Sequence, residues 1–232
     1  MIDIHCHILP GIDDGPFSIE QSVEMARIAA DDGITALVAT PHISDASCSA
    51  EHIGNLTEQL NDLLVQQNIP VTIVPGAEVY ALLDPHLFAE YTIHKTPYIL
   101  TEFPFGHLPW NAKEILRGMS RQGYRPIIAH PERNSFIVEN PDLLLDLVGE
   151  NIYVQITADS LTGVFGRSVQ NCALSLLEKG VVHFIATDAH TTGFRSPVLS
   201  EGLRAAQEII GRKEAEKLVT ANPGAVIEGK AL

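Results

Sequence analysis

At 232 residues, with 15 Lys and Arg against 29 Asp and Glu, the chain carries a formal charge of −14, which disfavours a nucleic-acid groove because such grooves need a basic surface. Hydrophobic content of 45% and charged content of 19% suit a soluble globular protein, and the length suits one domain over 1–232. No apolar run approaches the ~20 residues that span a bilayer, and the first residues lack a basic region, an apolar stretch and a cleavage site, so the expectation is a cytoplasmic protein without stable membrane insertion.

In chain order, short runs at 2–7, 34–40, 71–75, 97–102, 125–129, 152–156 and 182–187 read as strands. Amphipathic segments between them predict helices at about 18–32, 49–67, 111–122, 141–149, 165–179 and 197–211, with a last short one near 213–220. Ser18 with Gln21 resembles a capping box, and Gly33 is a natural stop. Asn140-Pro141 and Ser196-Pro197 place proline at a first helical position. Strands separated by helices imply parallel pairing through right-handed crossovers. Seven such units, with neither a Gly-x-Gly-x-x-Gly nor a Walker loop, favour a closed α/β barrel over a doubly wound sheet.

Ligand-type side chains recur where these strands end. His5 and His7 sit two apart on the first strand, so both imidazoles share a face. His42 follows the second strand, Glu78 the third, Glu102 ends the fourth and His130 follows the fifth. Asp188 and His190 follow the seventh. Barrel enzymes carry their chemistry at the C-terminal ends of strands, and a mixed imidazole and carboxylate set suits Zn, Mn or Fe better than Ca.

Asp13 and Asp14 lie in the turn-rich Pro10-Gly-Ile-Asp-Asp-Gly-Pro16, where turn chemistry alone accounts for them, although one of the two is placed to reach a metal above the mouth. His107, on the loop after Glu102, borders the expected substrate position. His52, His86, His94 and His183 have no such placement. Arg133 and Arg195 stand close to His130 and His190, and arginine forks match phosphate oxygens; the plainer alternatives are solvation or a pairing with Glu132.

Cys6, Cys48 and Cys172 are too scattered for a disulfide framework, and alternation sends Cys6 to the face opposite His5 and His7. Six residues after each cysteine come Ile12, Gly54 and Glu178, so the Cys-x5-Arg loop of cysteine phosphatases is absent.

Asp3-Ile-His-Cys-His-Ile-Leu-Pro-Gly-Ile-Asp-Asp-Gly-Pro16, Ala39-Thr-Pro-His42, Pro75-Gly-Ala-Glu78, Glu102-Phe-Pro, Ile128-Ala-His-Pro-Glu-Arg133 and Ala186-Thr-Asp-Ala-His190 together resemble the polymerase and histidinol phosphatase (PHP) superfamily. Within it they look like the manganese-dependent bacterial protein-tyrosine phosphatases of capsule and exopolysaccharide clusters. The resemblance implies a PHP-type distorted (β/α)7 TIM-like barrel with three divalent metals, Mn first, with Fe or Zn as alternatives. It implies that His5, His7, Glu78 and Asp188 hold one ion, that Glu78 bridges to a second completed by Glu102 and His130, and that Asp14, His42 and His190 hold the third. Arg133 and Arg195 match phosphate-gripping positions. The implied substrate is phosphotyrosine on the tail of a partner bacterial kinase, hydrolysed by hydroxide generated between metals. The chain ends in Ile-Glu-Gly-Lys-Ala-Leu rather than in the basic tail of some relatives, which leaves any docking role of such a tail open. The rivals are a histidinol-phosphate phosphatase of the same superfamily and a non-catalytic metal-binding subunit. Rates on histidinol phosphate and a phosphotyrosine peptide separate the first, and metal analysis with an aryl-phosphate assay the second.

Overall fold

The computed structural model describes residues 1–45 and 48–232. Strand β1 (Ile2–Cys6) leads through a loop to helix α1 (Ile19–Asp31). The expected strands 34–40 and 71–75 are β2 (Ala36–Ala39) and β4 (Thr72–Pro75), and each is followed by a short further strand, β3 (His42–Ile43) and β5 (Glu78–Tyr80), with α2 (Ala50–Gln66) between the two pairs. The break in the second pair lies at Gly76, where a Cβ would come within 2.8 Å of Val38 Cγ1, so only glycine allows the close approach.

Then come β6 (Tyr98–Glu102), α3 (Ala112–Arg121), β7 (Arg125–Ala129), α4 (Ser135–Glu139) and α5 (Asp142–Leu145). Of the last two, α4 precedes the helix expected at 141–149 and only α5 falls within it; α5 is shorter than expected and is followed by an antiparallel bridge between Gly149 and Ile152. Next are β8 (Tyr153–Thr157), α6 (Ala158–Thr162), α7 (Arg167–Glu178), β9 (Phe184–Ala186), α8 (Ser200–Ile210), α9 (Arg212–Lys217) and α10 (Ala221–Glu228). Helix α8 starts three residues later than Ser196-Pro197 predicts, and its first amides are capped by a distant residue: Asp32 Oδ2 accepts from the N–H of Leu199 at 2.7 Å and of Ser200 at 2.9 Å. Helix α10 accommodates Pro223 because the proline falls in the first turn, where no intrahelical donor is needed.

All ladders between strands are parallel, in the orders β1-β2-β4 and β3-β5-β6-β7-β8-β9. The two ends of this series also touch: His7 N–H donates to Ala189 O at 2.8 Å and Asp188 N–H to His5 O at 2.8 Å. No helix among the described residues is long and apolar enough to cross a membrane.

Helices cover the outer side through apolar stripes such as Val23, Ala26 and Ala29 on α1. The inner side is filled by a second cluster that includes Ile4, Val38, Val74, Leu100, Ile127, Phe184 and Ala186. Ile4 and His5 both face inward although they are neighbours, because β1 carries an extra residue: Asp3 pairs with Leu37 but Cys6 with Ala39. This irregularity shifts the alternation, keeps Ile4 in the apolar floor and turns His5 and His7 above it. Cys6 then points to the outer core, fully buried, as strand alternation predicts.

Candidate metal centre

The C-terminal ends of the strands deliver their polar side chains to one buried space. His42 and Glu78 open β3 and β5 and are register partners across that ladder, rather than lying beyond the strand ends as the sequence implies. Glu102 closes β6, and His130 follows β7. His130 (φ 31°) and Asp188 (φ 53°) adopt left-handed backbone, which side-chain-bearing residues reach at a cost, and which re-aims both after their strands.

Glu78 lies at the middle. Its Oε1 accepts from His130 Nε2 at 2.8 Å, and its Oε2 is 3.3 Å from His5 Nε2, 3.4 Å from His7 Nε2 and 2.9 Å from His42 Nδ1. Asp188 Oδ1 is 3.2 Å from His5 Nε2 and 3.4 Å from His7 Nε2. Glu102 Oε2 is 3.6 Å from His42 Nδ1, and Glu102 Oε1 is 3.8 Å from His130 Nε2. Asp14 Oδ1 is 3.1 Å from His190 Nε2 and 3.7 Å from His42 Nε2. Potential ligand atoms gather in four overlapping groups: His7, Asp14, His42 and His190; His5, His130 and Asp188; His5, His7 and Glu78; and His42, Glu78 and Glu102. The nine candidates thus share one space, with Asp14, His42 and His190 in one group and His5, His7, His42 and Glu78 shared between groups.

The donor chemistry fits cations. His5 Nδ1 lies 2.9 Å from Gln155 Oε1 and His7 Nδ1 2.7 Å from Asp13 Oδ2, so an acceptor holds the proton on each Nδ1. The two Nε2 atoms left over face each other at 3.2 Å. For neutral rings that sets lone pair against lone pair, which a shared cation resolves. His190 repeats the arrangement. Its Nδ1 donates to Asp188 O at 2.9 Å, while its buried Nε2 has no hydrogen-bond partner and faces the Asp14 carboxylate. Glu78 Oε2, also buried, accepts no hydrogen bond despite three imidazoles around it.

Electrostatics agree with this demand for positive charge. Burial works against charged His5 and His7, yet the carboxylates around them outweigh it and hold both above the ordinary histidine range. Burial likewise opposes ionised Glu78 and Asp188, and the surrounding imidazoles, His5 foremost, hold both well below the usual carboxylate range. Burial and then Glu78 push Glu102 up. Burial and the neighbouring His7 ring, stacked 3.9 Å away, push His190 down to about 4, which leaves it neutral and able to ligate.

At the edge, Arg133 Nη1 and Arg195 Nη2 converge on Asp188 Oδ2, at 2.5 and 2.6 Å. Arg195 Nε is buried without a partner, an unused donor beside the cluster. Neither arginine pairs with Glu132, which instead accepts from Thr157 N–H and from the Ser160 hydroxyl. His107 lies on an exposed loop, and only its carbonyl is engaged, by Asn134 Nδ2 at 3.0 Å.

Sequence reasoning missed four supporting residues. Asp13 is not a bystander to Asp14: it binds His7 and accepts from the N–H groups of Gly15 and His42. Gln155 was legible as a lone amide in the apolar run Tyr153-Val-Gln-Ile-Thr157. Phe105 and Phe165, which flank Arg133, gave no signal.

Parallel strands whose ends carry a mixed imidazole and carboxylate cluster define an α/β protein with a candidate metal centre. The Capsular polysaccharide synthesis, CpsB/CapC family matches residues 1–228, and the chain belongs to that family. It is 38% identical to the tyrosine-protein phosphatase YwqE of Bacillus subtilis (strain 168), with 100% of this chain and 93% of the relative covered. Among solved structures, it superposes with a TM-score of 0.94 and 36% identity, over 100% of this chain and 96% of the other, on one described with YwqE from Bacillus subtilis and CpsB from Streptococcus pneumoniae as unique metal-dependent tyrosine phosphatases. An organophosphorus hydrolase from Deinococcus radiodurans shares the fold alone, at a TM-score of 0.59 and 13% identity over 97% of this chain and 92% of the other.

Proposed function

We propose that this chain is a metal-dependent protein-tyrosine phosphatase that hydrolyses phosphotyrosine on the tail of a cytoplasmic-facing bacterial kinase governing capsular or exopolysaccharide synthesis. In this reading the strands close into one distorted (β/α)7 TIM-like barrel domain of PHP type in the cytoplasm. The observation that carries it is the convergence of nine ligand-type side chains beside two arginines that share one carboxylate oxygen.

His5, His7, Glu78 and Asp188 would hold one divalent ion, Glu78, Glu102 and His130 a second, and Asp14, His42 and His190 a third, with Mn the leading candidate and Fe or Zn the alternatives. When bound, such ions lower the pKa of water toward neutrality and offset phosphate charge. The protein's own part is orientation. Asp13 and Gln155 fix which nitrogen of His7 and of His5 faces inward. Arg133 and Arg195 present Nη donors at the rim, matched to phosphate oxygens and to the charge that builds on them during displacement. The departing phenol has a pKa of about 10, so its exit depends little on a protonating group.

The test is phosphate release from a phosphotyrosine peptide, a phosphoserine peptide and histidinol phosphate after chelation and readdition of each metal. The phosphotyrosine peptide is expected to turn over fastest, only with metal, and not in His5→Ala or His130→Ala. Full turnover by both variants would overturn the assignment. Faster turnover of histidinol phosphate would move the protein to the neighbouring branch.

A further inference from the structure

The segments that follow β6, β8 and β9 each carry a phenylalanine on the Arg133 side of the site. Phe105 follows β6, Phe165 lies between α6 and α7, and Phe194 lies between β9 and α8. The Arg133 guanidinium is sandwiched by two of them, its Cζ 4.7 Å from the centre of the Phe105 ring and 4.4 Å from that of Phe165. Phe105 also stacks on His130, at 5.1 Å and 23°, and Phe165 meets Phe194 edge-on at 6.5 Å and 85°. Ring faces attract a guanidinium and hold it flat, which fixes the direction of its fork.

Support of Arg133 does not account for the outer surfaces of these rings. Phe105 is 44% exposed and Phe194 69% exposed, beside a polar cluster whose centre at His5, His7, Glu78 and Asp188 is buried. Phe105 leans on both His130 and Arg133, and Phe194 meets Phe165, the second ring against Arg133, so both exposed rings belong to the aromatic set around the guanidinium that reaches Asp188. A phosphate ester held there has to send its organic group outward past them.

We propose that Phe105 and Phe194 form an aryl subsite that receives the leaving-group ring of a phenolic phosphate ester, with Phe165 a positioning residue that helps keep Arg133 flat. The inference rests on the protein-tyrosine phosphatase reading and assigns the residues that would meet the leaving-group ring. An aromatic ring offers faces and edges to the two phenylalanines, in the offset or edge-to-face geometries that aromatic pairs prefer. A short alkyl ester reaches neither, so the subsite separates phenyl from alkyl phosphates by binding, in addition to the leaving-group difference.

The experiment compares kcat/KM for phenyl phosphate and ethyl phosphate in the metal-loaded wild type and in Phe194→Ala, Phe105→Ala, Phe165→Ala and Phe194→Trp. Calorimetric binding of phenylphosphonate and methylphosphonate, which are not hydrolysed, gives a second readout. Phe194→Ala should lower the phenyl-to-ethyl ratio about tenfold and weaken phenylphosphonate about tenfold more than methylphosphonate, and Phe194→Trp should restore both. Phe165→Ala should depress both esters alike and add nothing further in an Arg133→Ala background. An unchanged ratio in both Phe194→Ala and Phe105→Ala, or equal loss of the two phosphonates, overturns the subsite and leaves the phosphatase reading standing. Failure of the wild type to turn over either ester or bind either phosphonate removes that reading and the subsite with it.

Discussion

His5 Nδ1 donates to Gln155 Oε1 at 2.9 Å, a bond that joins β1 to β8 between residues 150 positions apart. Both groups are fully buried, so the acceptor sets the plane and the tautomer of the imidazole and leaves Nε2 turned toward Glu78 and Asp188. Gln155→Leu removes the acceptor at similar volume. It should weaken metal binding roughly 10- to 100-fold, read by titrating metal-free protein against a competing chelator. Unaltered affinity would mean that packing alone orients the ring.

Asp32 caps a helix to which it does not belong, accepting from both Leu199 and Ser200. Asp32→Ala leaves those two amides without that acceptor and should cost about 1–2 kcal/mol, lowering the thermal midpoint without altering metal content. A midpoint equal to wild type would show that water replaces the cap fully.

Arg133→Lys and Arg195→Lys keep the charge and lose the fork. Each should reduce kcat/KM for a phosphotyrosine peptide roughly 100-fold while bound metal stays at the wild-type level, since neither residue supplies a ligand atom. Steady-state kinetics with elemental analysis checks this, and full activity in both variants would end their phosphate role.

Metal removal leaves buried carboxylates and imidazoles to satisfy one another with protons alone. Readdition of Mn, Fe or Zn at about 100 times its dissociation constant should return about 2.7 kcal/mol for each site filled, roughly 5–10 °C per site for a chain of this size. Scanning calorimetry on chelated and reloaded protein reads this directly, and a midpoint insensitive to all three metals would sink the metal centre.

His183 lies away from the cluster, and its Nδ1 accepts from Val154 N–H at 3.1 Å. Burial holds its pKa below the ordinary value. A base with a depressed folded pKa binds fewer protons folded than unfolded. Its contribution to stability is therefore intact above about pH 6.5 and is lost as pH falls toward the folded pKa. Urea unfolding of the metal-free protein at pH 7.5 and pH 5 should show a smaller drop for His183→Gln than for wild type, because the cluster titrates in both. Equal drops would contradict this.

Much of the architecture was written locally. Ser18 caps α1 through Gln21 N–H as its spacing announces, although Gln21 reaches back to Phe17 rather than to Ser18 itself. Strand runs and helix stripes read true to within a few residues wherever one period held over the whole segment, as in α2, α3 and β7. They held for β2 and β4 but missed β3 and β5, the short strands that resume after them and bring His42 and Glu78 into register.

By itself the sequence determined the alternation of strands and helices and the ligand-type residues at strand ends, because side-chain periodicity and caps act over a handful of neighbouring residues. Only the tertiary structure decided that β1 carries an extra residue that turns His5 and His7 inward, that Asp13 and Gln155 rather than solvent hold their protons, and that Phe105 and Phe165 close on Arg133. The His5–Gln155 and Arg133–Phe105 contacts join side chains far apart along the chain. The energy of such a pair exists only after the backbone has brought both ends together, so no local pattern announces it.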